Sequence, residues 1–403
     1  MPELRIDAFD NFECIGNLCD DTCCKDWLIS IDQPTYFKYK KETNEEFKEM
    51  FEKGVSRLRC ASKSSYAIMN LNEKKECFFL DENKLCSVYK LLGPEKMCIT
   101  CKVYPRLDFD VYGVRHKSLT ISCPEACRKI LFRKDPIEFN LSETVSESLN
   151  PNRKSLDNNN YKDLLNKETF ELLRSFAIGL VQNRNYTLEE RLIILGMFME
   201  DATDKTEDEI QSIIYQYEIN ISNGVFKNVD KYINRNDLID SEIKSCANIY
   251  LQIISSFRHN KLLTLMSNIE NGLLINGNTN SNEIRENYIN IKNNYYRSIY
   301  NEYEYVFENY LVHYMFRNPG VFMQKSLLYK YIEMLIYYTM TKFSIIASIS
   351  TLKDDFTEND LLLAISTLAR GVEHNEKNIE SLRAFGKNFN LDSLSSVMHM
   401  ILM

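Results

Sequence analysis

Phe12-Glu-Cys14-Ile-Gly-Asn-Leu-Cys19-Asp-Asp-Thr-Cys23-Cys24-Lys-Asp-Trp27-Leu-Ile-Ser-Ile-Asp32 is the stretch on which the fold turns. Four of the twelve cysteines fall inside it, at spacings that core packing alone does not explain. Working outward, Cys60, Cys77, Cys86, Cys98, Cys101, Cys123 and Cys127 follow, so eleven lie between Cys14 and Cys127 and only Cys246 lies beyond. Thiols this close in sequence can converge on one ion, whose bonds to sulfur are about 2.3 Å long. Disulfides need an oxidising compartment, and the N-terminus MPELRIDAFDNFEC carries no basic-then-apolar leader. The expectation is free, metal-holding thiols in a reducing cytoplasm.

The other donors narrow the metal. Of the five histidines, His116, His259, His313, His374 and His399, only His116 falls among the cysteines. A finger of two thiolates and two imidazoles therefore has no natural pair of imidazoles. A thiolate-dominated site suits either an iron–sulfur cluster or zinc held by four thiolates. The ferredoxin run C-x2-C-x2-C is absent, so a cluster would use an unusual ligand set.

The pattern outside the thiols sets the architecture. Residues 1–135 read as a compact Cys-rich α+β unit that a metal would hold together. Trp27–Asp32 reads as a short strand, about Tyr36 to Arg59 as a charged helical stretch, and Cys77–Leu80 with Cys86–Tyr89 as a hairpin. Leu107–Ser122, around Gly113, reads as another. Residues 136–160, rich in Ser and Asn with two prolines, read as a linker.

From 161 to 403 the pattern is helical. Thr187-Leu-Glu-Glu190 and Thr206-Glu-Asp-Glu209 are capping boxes. Ile210, Ile213, Ile214 and Tyr217 make one helix face, and Leu361, Ala364, Ile365 and Leu368 after Thr357 make another. Asn318-Pro-Gly320 separates two long helices. The tyrosine-dense run Tyr295–Tyr314 reads first as ring packing and second as a substrate groove. The predicted fold class is mainly α: a small Cys-rich metal-binding α+β domain followed by an all-helical domain.

Composition excludes several functions. The most apolar stretch, Leu327 to Leu352, is interrupted by Lys330, Glu333 and Lys342, so no membrane partner is expected. Net charge is −8; residues 1–135 carry 23 Lys+Arg against 22 Asp+Glu, leaving the rest at 26 against 35. Neither part is the basic body that nucleic acid would attract. There is no G-x-G-x-x-G, no P-loop, no G-x-S-x-G and no H-E-x-x-H.

The cysteine-bearing pieces then point further. The stretch Phe12 to Asp32 resembles the opening of the flagellin lysine-N-methylases, within a wider metal-chelating group named for a CxxCxxCC signature. Cys77-Phe-Phe-Leu80, Cys86-Ser-Val-Tyr89, Cys101-Lys-Val-Tyr104-Pro105-Arg106 and Ser122-Cys123-Pro124-Glu125-Ala126 resemble that group's later elements, in order, so the resemblance covers roughly residues 9–130. The ending Cys19-x3-Cys23-Cys24 agrees with the methylase branch and departs from the wider group's CxxCC.

The resemblance implies transfer of methyl groups from S-adenosylmethionine to lysines of flagellin. It also implies a bound iron–sulfur cluster, with the 4Fe–4S form favoured and zinc as the alternative. On this basis Cys14, Cys19, Cys23, Cys24, Cys77, Cys86 and Cys101 are the expected ligands. Cys60, Cys98, Cys127 and Cys246 are weaker ones, Cys98 being close enough to Cys101 to substitute. An iron with an open position would hold the donor without a glycine loop. The substrate lysine must lose a proton before attack, and Asp20, Asp32, Tyr104 and Glu125 lie near the thiols. Arg106 would pair either with the donor's carboxylate or with an acidic side chain of the fold. The alternatives are a non-enzymatic zinc-stabilised module that binds flagellin or another protein, and a metal carrier.

Overall fold

The computed structural model describes residues 2–143, 155–156, 164–254, 260–373 and 376–403; His259, His374 and most of 144–163 lie outside them. The chain is mainly helical with a small α+β N-terminal region. It divides into two compact units. The first comprises Met1–Ala126 and Phe139–Ser155; the second comprises Cys127–Glu138, Leu156–Phe257 and Lys261–Met403.

In the first unit a mixed sheet carries β1 (Glu3–Ile6), β5 (Arg106–Val111), β6 (Val114–Leu119) and β7 (Phe139–Ser142), in the order β7-β1-β6-β5. The β5–β6 hairpin falls where the sequence placed one. Tyr112 and Gly113 take φ of 46° and 77°, the pair of positive values that matches the twist of a two-residue hairpin turn. The other pairings join distant segments. Strand β1 runs parallel to β6, Leu4 opposite His116, and antiparallel to β7, Leu4 opposite Leu141. Strand β7 falls in the stretch read as linker. Strand β6 is buried along its whole length although it reads Val-Arg-His-Lys-Ser-Leu. Its charges are tied down by Glu3, 3.5 Å from Arg115 and 3.2 Å from Lys117.

A second, smaller sheet has β2 (Ser30–Ile31) and β3 (Val55–Arg57) on either side of β4 (Ala67–Met69). Only Ser30 and Ile31 of the expected Trp27–Asp32 strand pair with it. The short helices of this part of the chain are α1 (Asp7–Asp10), α2 (Gln33–Lys40), α3 (Glu45–Gly54), α4 (Ser87–Leu92) and α5 (Ile99–Val103), with α6 (Pro124–Leu131) following. The single charged helix expected from Tyr36 to Arg59 is two, because Asn44 breaks it and caps α3 through the Phe47 N–H (2.9 Å).

The expected hairpin of Cys77–Leu80 with Cys86–Tyr89 is corrected as well. Leu80 and Cys86 form one isolated bridge. The Asp81 side chain accepts from Leu85 N–H at 2.8 Å and closes the intervening turn. Beyond it, Ser87 opens α4 instead of a strand. Val88, Lys90, Leu91 and Leu92 sustain the helix until Gly93, at φ +87°, ends it.

The second unit is built mainly of helices: α7 (Lys167–Val181), α8 (Leu188–Ala202), α9 (Glu207–Ser222), α10 (Arg235–Ile254), α11 (Asn260–Ser267), α12 (Ser281–Ile291), α13 (Arg297–Glu302), α14 (Glu304–Arg317), α15 (Leu327–Leu352), α16 (Glu358–Glu373), α17 (Glu376–Asn388) and α18 (Leu394–Ile401). The capping boxes at Thr187 and Thr206 are formed, and Thr357 and Asp360 exchange equivalent bonds.

Helix α15 is the apolar stretch singled out above. It is long and apolar enough to cross a membrane, but 89% of its most apolar window is buried inside the chain. Its charges are satisfied within the unit: Glu333 pairs with Arg383 at 2.8 Å, and Lys342 donates to the carbonyls of Met400 and Ile401 at 2.9 and 3.2 Å. Tyr296, Tyr300 and Tyr310 are buried core rings, in line with the ring-packing reading of that run.

Candidate metal centre

The thiols of the first unit are positioned by backbone pairing between distant segments. The N–H of Cys77 donates to the Cys24 carbonyl at 2.7 Å, and Asp26 N–H donates to the Lys75 carbonyl at 2.8 Å. These bonds place the Cys23–Cys24 corner on the strand-like piece that carries Cys77. Helix α5 brings the next pair. Asp32 caps α2 through Thr35 N–H at 2.9 Å and also accepts from Ile99 N–H at 3.4 Å. Thr100 Oγ1 donates to the Ser30 carbonyl at 2.9 Å. The first turn of α5 is thus pinned to β2, with Cys98 at its N-cap and Cys101 three residues on, on the same face.

All twelve cysteines are free. Cys77 and Cys98 are buried in one core with Ile29, Ile31, Tyr39, Phe47 and Phe79, and Cys24, Cys86 and Cys101 pack against it. The neighbouring Cys101 holds Cys98 below the usual thiol range, and Cys98 together with burial holds Cys101 well above it. Burial pushes Cys77 up to about 11, and the charges of Cys86, Cys98 and Cys23 act in the same direction. Burial also raises Cys86.

Cys14, Cys19, Cys23 and Cys123 form a second neighbourhood. Burial raises Cys19, whose thiol donates to the Asp21 carbonyl at 3.4 Å, and Cys23 and Cys14 add to the shift. Burial likewise pushes Cys123 up to about 12, beside Cys19 and Cys23. Cys23 is common to both groups.

Among the described residues no three His, Cys, Asp or Glu side chains are closed around a point as ligands would be. In kind, the donors fit a thiophilic metal. Two thiols lie in one apolar core and three more pack against it, no histidine is among that core's residues, and burial raises Cys77 and Cys86, which favours neutral thiols that lose protons when a cation takes their place. Cys98, weighted below Cys101 on sequence, is its direct partner. The two-residue gap between them was the signal, because on a helix it puts both on one turn. Exposed Cys60 and buried Cys127 belong to neither group, and Cys246 lies in the helical unit.

The other candidates divide by what they already hold. Both Asp32 oxygens accept backbone N–H groups, so it is a structural cap. Tyr104 packs against Trp27 with ring centroids 5.8 Å apart and planes tilted by 45°, and its hydroxyl is 3.1 Å from Ser122 Oγ, which lies 3.0 Å from Thr120 Oγ1. Arg106 sits over the Phe12 ring at 5.2 Å and donates to the Phe12 carbonyl at 3.4 Å; it pairs with no carboxylate among the described residues. Glu125 is buried in the first turn of α6, and Asp20 is exposed on the Cys14–Cys24 loop.

Fold and donors together define a helical protein with its thiols gathered in a small α+β unit. A family model described as FliB lysine N-methylase C-terminal domain matches residues 174–401, and the chain belongs to this family. Two lysine-N-methylases, from Salmonella choleraesuis (strain SC-B67) and Salmonella typhimurium (strain LT2), are each 29% identical to it, over 189 and 188 residues. Each match spans 47% of this chain and 44% of the relative's length. The flagellar biosynthetic protein FliU of Salmonella muenchen is 31% identical over 138 residues, 34% of this chain and 80% of that protein. No solved structure matches.

Proposed function

We propose that this chain is a lysine N-methyltransferase that moves methyl groups from S-adenosylmethionine to lysine side chains of flagellin in the reducing cytoplasm, with a metal held by the thiols of its first unit. Membership of the lysine N-methylase family over residues 174–401 carries this reading. The names of its relatives, two lysine-N-methylases and a flagellar biosynthetic protein, support the substrate.

In the reaction the lysine nitrogen forms a bond to the donor's methyl carbon as the sulfonium–carbon bond breaks. The products are a methylated amine and a neutral thioether. An ammonium has no lone pair, so a proton leaves the lysine first. The Tyr104 hydroxyl, in its chain with Ser122 and Thr120, and the Glu125 carboxylate are the acceptors we favour, because Asp32 is fully engaged as a cap. Cys98 and Cys101, with Cys24, Cys77 and Cys86, would hold the metal. When bound it would supply a Lewis-acidic, thiolate-held centre, an iron–sulfur cluster in the form we favour and zinc in the alternative.

The test is to incubate the purified chain with flagellin and methyl-labelled donor, anaerobically and with reductant. Lysines of flagellin gain mass in single-methyl steps. Absence of label on flagellin, with the protein folded and metal-loaded, overturns the enzymatic reading and leaves the flagellin-binding module.

A further inference from the structure

In the helical unit, α8, α9 and the turn after α9 border a groove of about 820 Å³, which the proposed reaction does not use. That is room enough for a bound ligand. One wall is aromatic. Tyr217 stacks on Phe226 with centroids 5.6 Å apart and planes at 20°, and it meets buried Phe198 edge-on at 5.4 Å. The Tyr217 hydroxyl donates to Asp201 Oδ2 at 2.6 Å and fixes that carboxylate against the rings. Asp201 lines the groove and is exposed, which leaves its other oxygen for a donor from outside. Glu200 lines the groove too, with Oε1 accepting from the Leu394 N–H at 3.0 Å. Gln216 and Asn220, one turn apart on α9, add two amides. Lys205 is the one cation among the described lining residues.

This lining selects among ligands. An anion would meet two carboxylates, and a wholly apolar ligand would strip them of water without a partner. A lysine in an extended peptide suits every part: its ammonium meets a carboxylate, its methylene stem lies along the rings, and its peptide groups pair with amides. Residues 136–403 carry 26 Lys+Arg against 35 Asp+Glu, so the field around the groove also favours a cationic segment. We propose that the α8–α9 groove holds a lysine-bearing extended segment of flagellin, its ammonium on Asp201 and its stem along Tyr217 and Phe226. The inference rests on the flagellin reading of the proposed function and goes beyond it, giving the helical unit a substrate-holding role. A carboxylate partner keeps an amine protonated, so the lysine held here is recognised and is not the one that attacks the methyl group.

The experiment measures binding of labelled flagellin monomer to the full chain by fluorescence anisotropy, without methyl donor. Asp201→Asn removes the charge and keeps an acceptor for the Tyr217 hydroxyl, and Asn220→Arg adds a cation while leaving that bond alone. Asp201→Asn should weaken binding about fivefold and Asn220→Arg about tenfold or more, with both differences shrinking as salt is raised. Glu218→Gln, the same loss of charge on the face of α9 turned away from the groove, should leave the affinity unchanged. Flagellin with acetylated lysines should bind the natural protein more weakly and discriminate little between it and Asp201→Asn. Equal affinity of the natural protein, Asp201→Asn and Asn220→Arg overturns the inference. So does a rise in the KM for S-adenosylmethionine in Asp201→Asn with flagellin binding unchanged, which would make the groove a donor site. Methyl transfer is assayed separately: binding through the groove without transfer overturns the enzymatic reading alone, and transfer with variant-independent binding overturns the groove alone.

Discussion

The two units are ordered by different means. In the helical unit, α15 runs for 26 residues and is buried for most of its length. Its neighbours are long enough to present continuous apolar faces. In the cysteine-rich unit the longest regular element is the ten-residue α3, and the smaller sheet has strands of two or three residues. Order there depends on individual side chains: Asn44 and Asp32 as caps, Asp81 closing a turn, and a small core shared by aromatic rings and thiols. Long elements tolerate the loss of one contact, whereas short ones need cross-links. The account therefore expects metal to matter greatly to the first unit and little to the second.

The sharpest break in that comparison comes from the ligands. Replacing Cys98 and Cys101 together by serine should abolish metal retention and loosen the first unit, while Cys246→Ser should leave the metal content unchanged. Elemental analysis with limited proteolysis reads both. In the helical unit the largest loss should come from Glu308, which is 1% exposed and binds Arg191 at 2.6 Å and Arg184 at 2.9 Å. Glu308→Ala leaves buried Arg191 without that partner and should cost about 3–5 kcal/mol in urea unfolding.

Next comes pH. Burial holds His399 down at about 4 against its ordinary 6.5, with Ser245 Oγ 2.8 Å from its Nε2. Between those values the unfolded chain takes a proton that the folded chain refuses. Stability should thus fall as pH falls from 6.5 to 4, by about 3 kcal/mol at most. His399→Gln should flatten that slope in unfolding curves. At the small end, the exposed pair of Lys167 and Glu171, 3.8 Å apart and one turn apart on α7, should contribute below about 0.5 kcal/mol, so Glu171→Ala should leave the melting curve almost unmoved.

How far the sequence could be read followed the range of the interactions. The capping boxes at Thr187 and Thr206 and the hairpin at Tyr112–Gly113 were legible, because each is specified within a few residues. Strand β6 was not. Glu3, more than a hundred residues earlier, sits beside its buried Arg115 and Lys117, with Asp108 and Asp110 also facing Arg115. The α4 helix was hidden for a related reason: Cys86-Ser-Val-Tyr89 alone has strand-like residues, and the deciding Lys90-Leu-Leu-Gly93 follows it.

The family lesson is similar. The resemblance was carried by short cysteine motifs between residues 9 and 130, whereas the family model matches 174–401, where no short motif stood out. In the helical unit the family's character is spread over many buried positions, and in the cysteine-rich unit it is concentrated in a few sulfurs. Among those sulfurs, the spacing exposed Cys98 and Cys101, but only the folded core shows that they pack together with Cys24, Cys77 and Cys86.

The most direct test of the central claim is an assay of iron, acid-labile sulfide and zinc on freshly purified anaerobic protein, set beside the Cys98→Ser/Cys101→Ser double variant. The account predicts stoichiometric metal in the natural protein and its loss in the variant. A natural protein free of all three, still folded and still methylating flagellin, would contradict it.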